Sequence, residues 1–580
     1  ETDGASQGDV EYLSTSALFE RFAGDWRSSL NRDAPVAYDR IEPKRKGFAR
    51  YGVSLRVAAE FVLRKDYRAD WETELLEEYT YFTQAEFERA FRGRGLRIVA
   101  SMPLWNPWIV QNRFEGRFFL SDVNENPLPC PPTNYLIVGE KVRAGGGVEL
   151  AEERRRNLSA PHFLTLSFHR HQESGDIYEL AERPHLTIDL LPFYSTKEGR
   201  IFILAKKDFP RPVVNACAEH PSLDNSHLSG YITEPISQIV ESSVASDEIV
   251  RRTLEERAGL AADEIESISP PFAYYTSPGG INERVTALLV EIRAPQSSDG
   301  RASVPIPNYT KFSDAGTVRE LDAYQTLRAC HVGGMFDARL EINIYHLLRS
   351  LGLAPGRWIG APIELTTQNS RVELRAESNS DSSLFPSARV AFEMCQDENL
   401  TSQFLSLREG FFLEREGDGR VLASASFEYV VPLSLSRNTI IALPVVRTGD
   451  GIFVGVEHRD LPAVQTFTGS SRIAVAPAWR LPFTVENRME AASFLSEAMR
   501  RDFGANVRRL WELGGSYFPT PGVTPEIAHP FAVEIDATDA IHSNLCFIET
   551  TQLAAKLSLV QDAHLLVAAC RLIHALGTLP

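Results

Sequence analysis

The stretch YTSPGGINERVTALLVEI, Tyr275–Ile292, returns in altered form as FPTPGVTPEIAHPFAVEI, Phe518–Ile535. Laid together without a gap, the two share Pro278/Pro521, Gly279/Gly522, Glu283/Glu526, Val290/Val533, Glu291/Glu534 and Ile292/Ile535. Each reads as a Pro-Gly turn followed by an apolar strand, because Pro and Gly punctuate the chain and a short apolar run follows. The likeness extends in both directions. Upstream, EGRIFILAKKDFP (Glu198–Pro210) matches GDGIFVGVEHRDLP (Gly449–Pro462), both strands running into a turn. Downstream, DARLEINIYHLLRSLG (Asp337–Gly352) matches DAHLLVAACRLIHALG (Asp562–Gly577), each a helix closed by glycine. Three matches in one order predict two copies of one α/β unit. Their spacing lies far outside the roughly 20–50 residue period of a solenoid.

Length and composition bound the rest. At 580 residues the chain is too long for one core, and the usual domain size predicts roughly three or four units. A formal charge of −17 argues against non-specific nucleic-acid binding, which needs a basic face, and no long Lys/Arg run appears, so no nucleic-acid partner is expected. No apolar run approaches the roughly 18 residues of a membrane helix, so no membrane partner is expected either. Six scattered cysteines without a CxxC suit reduced thiols and a cytoplasmic location. The chain opens on Glu1 with neither an initiator Met nor a signal-peptide profile, and is expected to be a piece of a longer polypeptide.

Between the first repeated strand and the Pro-Gly loop stands SDEIVRRTLEERAGLAADEI, Ser246–Ile265. It resembles the helix of the Nudix family, with Arg252, Leu254, Glu256, Gly259 and Leu260 on family positions. The Pro278-Gly279 loop resembles that of ADP-ribose-type Nudix diphosphatases, in which a loop glutamate assists the chemistry; Glu283 is the nearest counterpart. The resemblance implies catalytic roles for Glu256 and Glu283 and substrate contacts at Pro278, Gly279 and Glu526. It also implies paired domains facing each other about a pseudo-two-fold axis. The departures are as informative. A Nudix helix gathers carboxylates to hold Mg²⁺, and the metal polarises a diphosphate and a water. The three ligand positions are Thr253, Glu256 and Arg257 in the first copy, and Ala498, Arg501 and Asp502 in the second. No metal is therefore expected, and little or no Mg²⁺-dependent hydrolysis. Glu255, Glu256 and Arg257 also fit a salt-bridged, solvated helix face.

Ahead of the repeats, TQAEFERAFRGRGLRIV carries a capping box, Thr83 with Glu86, then a helix, Gly95 and a strand. TNYLIVGEKV (Thr133–Val142) reads as a second strand. From Gly47 to Val142 the order resembles the rear half of a class I S-adenosylmethionine methyltransferase. No GxGxG follows a strand, so no cofactor is expected in this chain. The resemblance implies S-adenosylmethionine in the full parent protein, with the missing N-terminal methyltransferase half before Glu1 or on a separate chain as a partner. RAGGGVEL (Arg143–Leu150) reads as a linker, and Trp105 and Trp108 as lining for an acceptor pocket or as packing under a loop. His169 and His171 share one face of a strand without a third ligand nearby in sequence.

The expected architecture is α/β and α+β: a partial methyltransferase-like domain over 1–150, then duplicated Nudix-like α/β/α sandwich domains over 151–365 and 366–580. Three functions stay open. One is a modifying enzyme whose paired Nudix-like domains recognise a small nucleotide-like or diphosphate-bearing ligand. The second is an atypical hydrolase using Glu256 and Glu283. The third is a non-catalytic scaffold.

Overall fold

The computed structural model describes residues 10–29, 34–43, 46–80, 82–92, 94, 96–123, 127–141, 147–155, 163–207, 211–215, 223, 231–241, 246–295, 304–305, 312, 316–368, 384, 386–396, 400–416 and 418–577. The chain is mixed α/β and forms two compact units. The first comprises Glu1–Arg94 and Ser101–Ile137; the second comprises Gly95–Ala100 and Val138–Pro580. Both repeated halves fall in the second unit.

In the first unit, helices Thr15–Asp25 and Leu55–Arg64 start at Ser14 and Ser54, whose hydroxyls accept from Ala17 N and Val57 N. Their apolar faces meet around Phe22, Trp26, Phe61 and Trp71. The expected capping box is present: Thr83 N donates to Glu86 (2.7 Å) and Glu86 N to Thr83 Oγ1 (3.3 Å). Strands Leu96–Leu104 and Asn134–Lys141 stand where the sequence places them. The segment read as a linker is partly a strand, Gly147–Arg155, paired with Leu405–Arg415; residues 142–146 lie outside the described residues. Val148, Glu149 and Leu150 do alternate in polarity, but they follow a run of glycines and their pairing partner is distant in sequence, so the linker reading prevails locally.

The second unit is built on two sheets, for which the following labels are used. The first contains β1 Leu186–Ser195, β2 Ile201–Lys207, β3 Ile236–Val240, β4 Ile265–Ile268, β5 Phe272–Tyr275, β6 Arg284–Ile292 and β7 Thr317–Asp322, with helices α1 Asp247–Ala258 and α2 Ala338–Ser350. The second contains β8 Asn438–Thr448, β9 Gly451–Asp460, β10 Ala478–Arg480, β11 Val507–Glu512, β12 Ile527–Ile535 and β13 Cys546–Glu549, with α3 Arg488–Phe503 and α4 Ala563–Ala575.

The second sheet repeats the first in order and register. β1 runs parallel to β6 with Thr187 opposite Val285; β8 runs parallel to β12 with Thr439 opposite Ala528. Phe193 faces Ile203 as Val445 faces Val454, and Phe202 faces Asp322 as Phe453 faces Glu549. Even an irregularity recurs. The β4–β6 ladder slips between Ile265 and Ser267, and the β11–β12 ladder slips between Val507 and Arg509. Pro192 and Pro444 sit inside central strands, a place proline usually avoids. Each falls where the antiparallel neighbour changes: β3 pairs as far as Leu190 and β2 begins at Phe193, with β10 and β9 doing likewise in the second sheet.

Strands β1, β8 and β12 read as nearly continuous apolar runs because helices cover both faces of each sheet. On one face Ile188, Leu190 and Val290 pack on α1, and Ile440, Ala442 and Val533 on α3. On the other, Leu191, Phe193, Leu443 and Val445 join α2 and α4 in one shared core. Gly259 (φ 65°) and Gly504 (φ 66°) end α1 and α3 in the left-handed conformation that favours glycine. Asp337 and Asp562 cap the two central helices by accepting from Leu340 N and Leu565 N.

Candidate functional site

The two Pro-Gly loops form the same turn twice. Ile281 N donates to Ser277 O (3.0 Å) and Thr524 N to Thr520 O (3.2 Å). Each loop then crosses to the other half. Tyr275 N donates to Gln561 O (2.7 Å), and Phe518 N donates to Phe336 O (2.7 Å). Parallel bridges join Tyr275 with Asp562 and Asp337 with Phe518.

The loop glutamates lie where these crossings meet. Glu283 is 3% exposed and accepts from Thr187 Oγ1 (3.1 Å), Thr276 Oγ1 (3.0 Å), Thr520 Oγ1 of the opposite half (2.6 Å) and Arg183. Glu526, also 3% exposed, accepts from Thr439 Oγ1 (2.7 Å) and from Ser277 Oγ of the opposite half (2.7 Å), with Arg480 at 3.1 Å. Thr187 and Thr439 hold matched positions, as do Ser277 and Thr520. Each half thus passes a hydroxyl to the other's buried acid. Burial alone would raise the pKa of Glu283, but Arg183, Arg339, Thr520 and Thr276 hold it at about 2. Glu526 is likewise held down against its burial, by Arg480, His564 and its hydroxyl donors. Carboxylates so engaged are weak bases at neutral pH and serve as ties between the halves.

Beside Glu283 opens a cavity of about 450 Å³. Its wall combines Arg183, Arg211, Arg257 and Arg339 with Glu234, Glu283 and Glu428. Phe163 and Phe427 provide aromatic surface, and Pro521, Gly522 and Val523 reach in from the second half. A Cβ on Gly522 would lie 3.3 Å from Arg211 Nη1, so glycine there leaves room for that guanidinium. Beneath the wall, Arg339 joins Asp189 Oδ1 (3.3 Å) and Glu234 Oε2 (2.9 Å), with Asp337 at 3.9 Å; Arg211 also bonds Glu234.

The candidates from sequence separate on this geometry. Glu283 lines the cavity, whereas Glu256 is exposed on α1 and does not; its neighbour Arg257 does. Glu256 and Glu283 therefore do not share this cavity wall. Pro278 is buried and Gly279 exposed, and the cavity wall uses their counterparts Pro521 and Gly522 instead. Glu526 lies in the matched position of the second half and not in this wall. Trp105 and Trp108 belong to the first unit, whereas every wall residue belongs to the second. Trp105 Nε1 donates to Cys130 O (2.9 Å), and Trp108 is 52% exposed beside Arg113. His169 bonds Ser167 and His171 accepts from Ser174 N.

The side chains do not fit a Nudix-type metal. Thr253 is buried, Arg257 is a cation where the Nudix resemblance would call for a ligand, and Glu283 has its oxygens committed to hydroxyls and a guanidinium. Among the described residues, no three His, Cys, Asp or Glu side chains are grouped as a metal site requires. Arg183, Arg211, Arg339, Asp189 and Glu234 were missed in the sequence because they meet only through the fold. The hydroxyl ahead of each loop proline, Ser277 and Thr520, was a usable signal.

The acids beneath the cavity give a pH signature. Burial raises the pKa of Asp337 from 3.8 to about 6, against the pull of Arg339 and the Leu340 amide. The folded state therefore holds this proton more tightly than the unfolded state. Its contribution is full below about pH 4 and is lost as pH rises through about 6. Asp337→Asn, which keeps a capping oxygen, is expected to flatten this part of the stability profile, read by urea unfolding at pH steps across that window.

Comparison of the chain with protein-family models and with curated proteins finds no match.

Proposed function

We propose that the two halves of the second unit are duplicated, degenerate Nudix-like domains related by a pseudo-two-fold axis. In this reading they bind a nucleotide-like, diphosphate-bearing molecule in the cavity of the first copy, without Mg²⁺-dependent hydrolysis. The whole would be the C-terminal part of a methyltransferase-type modifying enzyme. The observation that carries the binding role is the cavity wall: four arginines against three glutamates, with two phenylalanines beside them. Guanidinium groups pair bidentately with phosphate oxygens, and aromatic rings accept a base or sugar face. At about 450 Å³ the cavity falls within the usual range for small-molecule sites. Arg257 adds a positive charge where a Nudix helix would carry a metal-binding carboxylate, which favours holding a phosphate over polarising it through a metal. The duplicated registers and reciprocal loop ties support the paired-domain reading. The methyltransferase-like reading rests on the resemblance and on the helix–strand order of the first unit.

Calorimetric titration with ADP-ribose tests the binding role. Binding is expected to survive replacement of Mg²⁺ by EDTA and to weaken as salt screens the arginines. Arg257→Ala is expected to weaken it by roughly tenfold, the worth of one charge-assisted hydrogen bond. Glu256→Gln should leave it unchanged, because Glu256 lies off the cavity wall. Binding that requires Mg²⁺ and disappears with Glu256→Gln would instead favour the hydrolase.

A further inference from the structure

We propose that the chain takes up one ligand, in the first copy alone, because the second copy fills its matched site with its own side chains. This rests on the recognition role proposed above and adds its stoichiometry. The matched registers allow the two sites to be compared position by position. In the first sheet, Thr187 stands opposite Ile239 and Ile188 opposite Gln238. In the second, Thr439 stands opposite Arg480 and Ile440 opposite Trp479. Gln238 and Ile239 line the cavity. Both counterparts are larger, and both are committed.

Arg480 reaches Glu526 at 3.1 Å, so the cation that neutralises this buried acid comes from within the matched site. In the first copy the same task falls to Arg183, ahead of β1 and itself in the wall, while the smaller Ile239 takes the place of Arg480. Trp479 donates from Nε1 to Asp502 (2.7 Å) and packs edge-on against Phe503 with ring centres 6.0 Å apart. Asp502 holds the position of Arg257 and is already paired with Arg501 (2.7 Å), so an engaged acid stands where the first copy places an arginine in the cavity wall. Volume, internal pairing and charge all turn the second site away from a phosphate-bearing molecule. The duplication has divided its labour: one copy receives, and the other supplies the loop that closes the wall.

Calorimetry and crystallography with ADP-ribose as the probe test this on the whole chain. Titration is expected to saturate at one ADP-ribose per chain. Crystals soaked with ADP-ribose should show it beside Arg257 and none beside Trp479. Gln238→Trp, which places the second copy's residue in the first, should lower affinity at least tenfold while far-ultraviolet circular dichroism stays unchanged. Two molecules per chain, or density beside Trp479, would overturn the proposal while leaving the recognition role standing. Undiminished binding by a folded Gln238→Trp variant would overturn it as well. No binding by the unaltered chain would remove both. If Gln238→Trp fails to fold, the soaked crystals of the unaltered chain decide alone.

Discussion

Arg571→Ala is expected to destabilise the second unit by ~3–5 kcal/mol, the usual cost of leaving one partner of a buried ion pair alone. Arg571 lies on α4 and is 0% exposed; Glu341 lies on α2 and is 1% exposed. The guanidinium donates from Nε and Nη2 to the two Glu341 oxygens, both at 2.7 Å. Its Nη1 also donates to Leu513 O (2.7 Å) and Gly515 O (2.5 Å), tying α4 to the segment ahead of the second Pro-Gly loop. Alanine would strand a carboxylate in the shared core and leave two buried carbonyls without their donor. Urea unfolding should show the lost stability as a lower midpoint. Adding Glu341→Leu to Arg571→Met should recover much of it, because removing both charges removes the desolvation cost. Equal losses in the single and double variants would mean that the carbonyl contacts, not the ion pair, hold the helices.

Arg339→Met is the second large effect, also ~3–5 kcal/mol at neutral pH. Three acids converge on this guanidinium: Asp189, Glu234 and Asp337. Asp189 already has its pKa raised by burial, against the opposing pull of Arg339 and Ser237. Removing Arg339 raises the pKa of Asp189 and Asp337 further in the folded state. The penalty should therefore grow as pH rises and shrink in acid, where the stranded carboxyls take up protons. Unfolding at pH 5 and pH 8 reads the difference directly. A loss independent of pH would assign the effect to packing of the arginine stem. Because Arg339 also lines the cavity, ADP-ribose binding should fall with it.

These two clusters mark the limit of what sequence pattern reveals. The repeated Pro-Gly loops, the glycine stops at Gly352 and Gly577 and the apolar strands were legible because each depends on neighbours along the chain. Arg183, Arg211 and Arg339 come from separate segments and acquire partners only when the sheet assembles, so no spacing announces them. Glu256 and Arg257 show how fine the distinction is. Adjacent helix positions point about 100° apart, and that single step takes one to solvent and the other to the cavity wall. Nor does a pattern within one copy reveal that its own Pro278-Gly279 loop serves the other copy's acid through Ser277. Ahead of the repeats the capping box and two strands were legible, whereas the sequence did not distinguish Trp105, tied to Cys130 O, from the exposed Trp108.

Phosphorus NMR of ADP-ribose mixed with the chain in Mg²⁺ reads recognition of the diphosphate and its cleavage at once. The two diphosphate resonances are expected to shift or broaden on addition of protein and to persist on long incubation, with no phosphomonoester signal. Phosphomonoester resonances that grow with time and vanish in Glu283→Gln would contradict the account in favour of hydrolysis. Diphosphate resonances unmoved by excess protein would contradict it in favour of a scaffold.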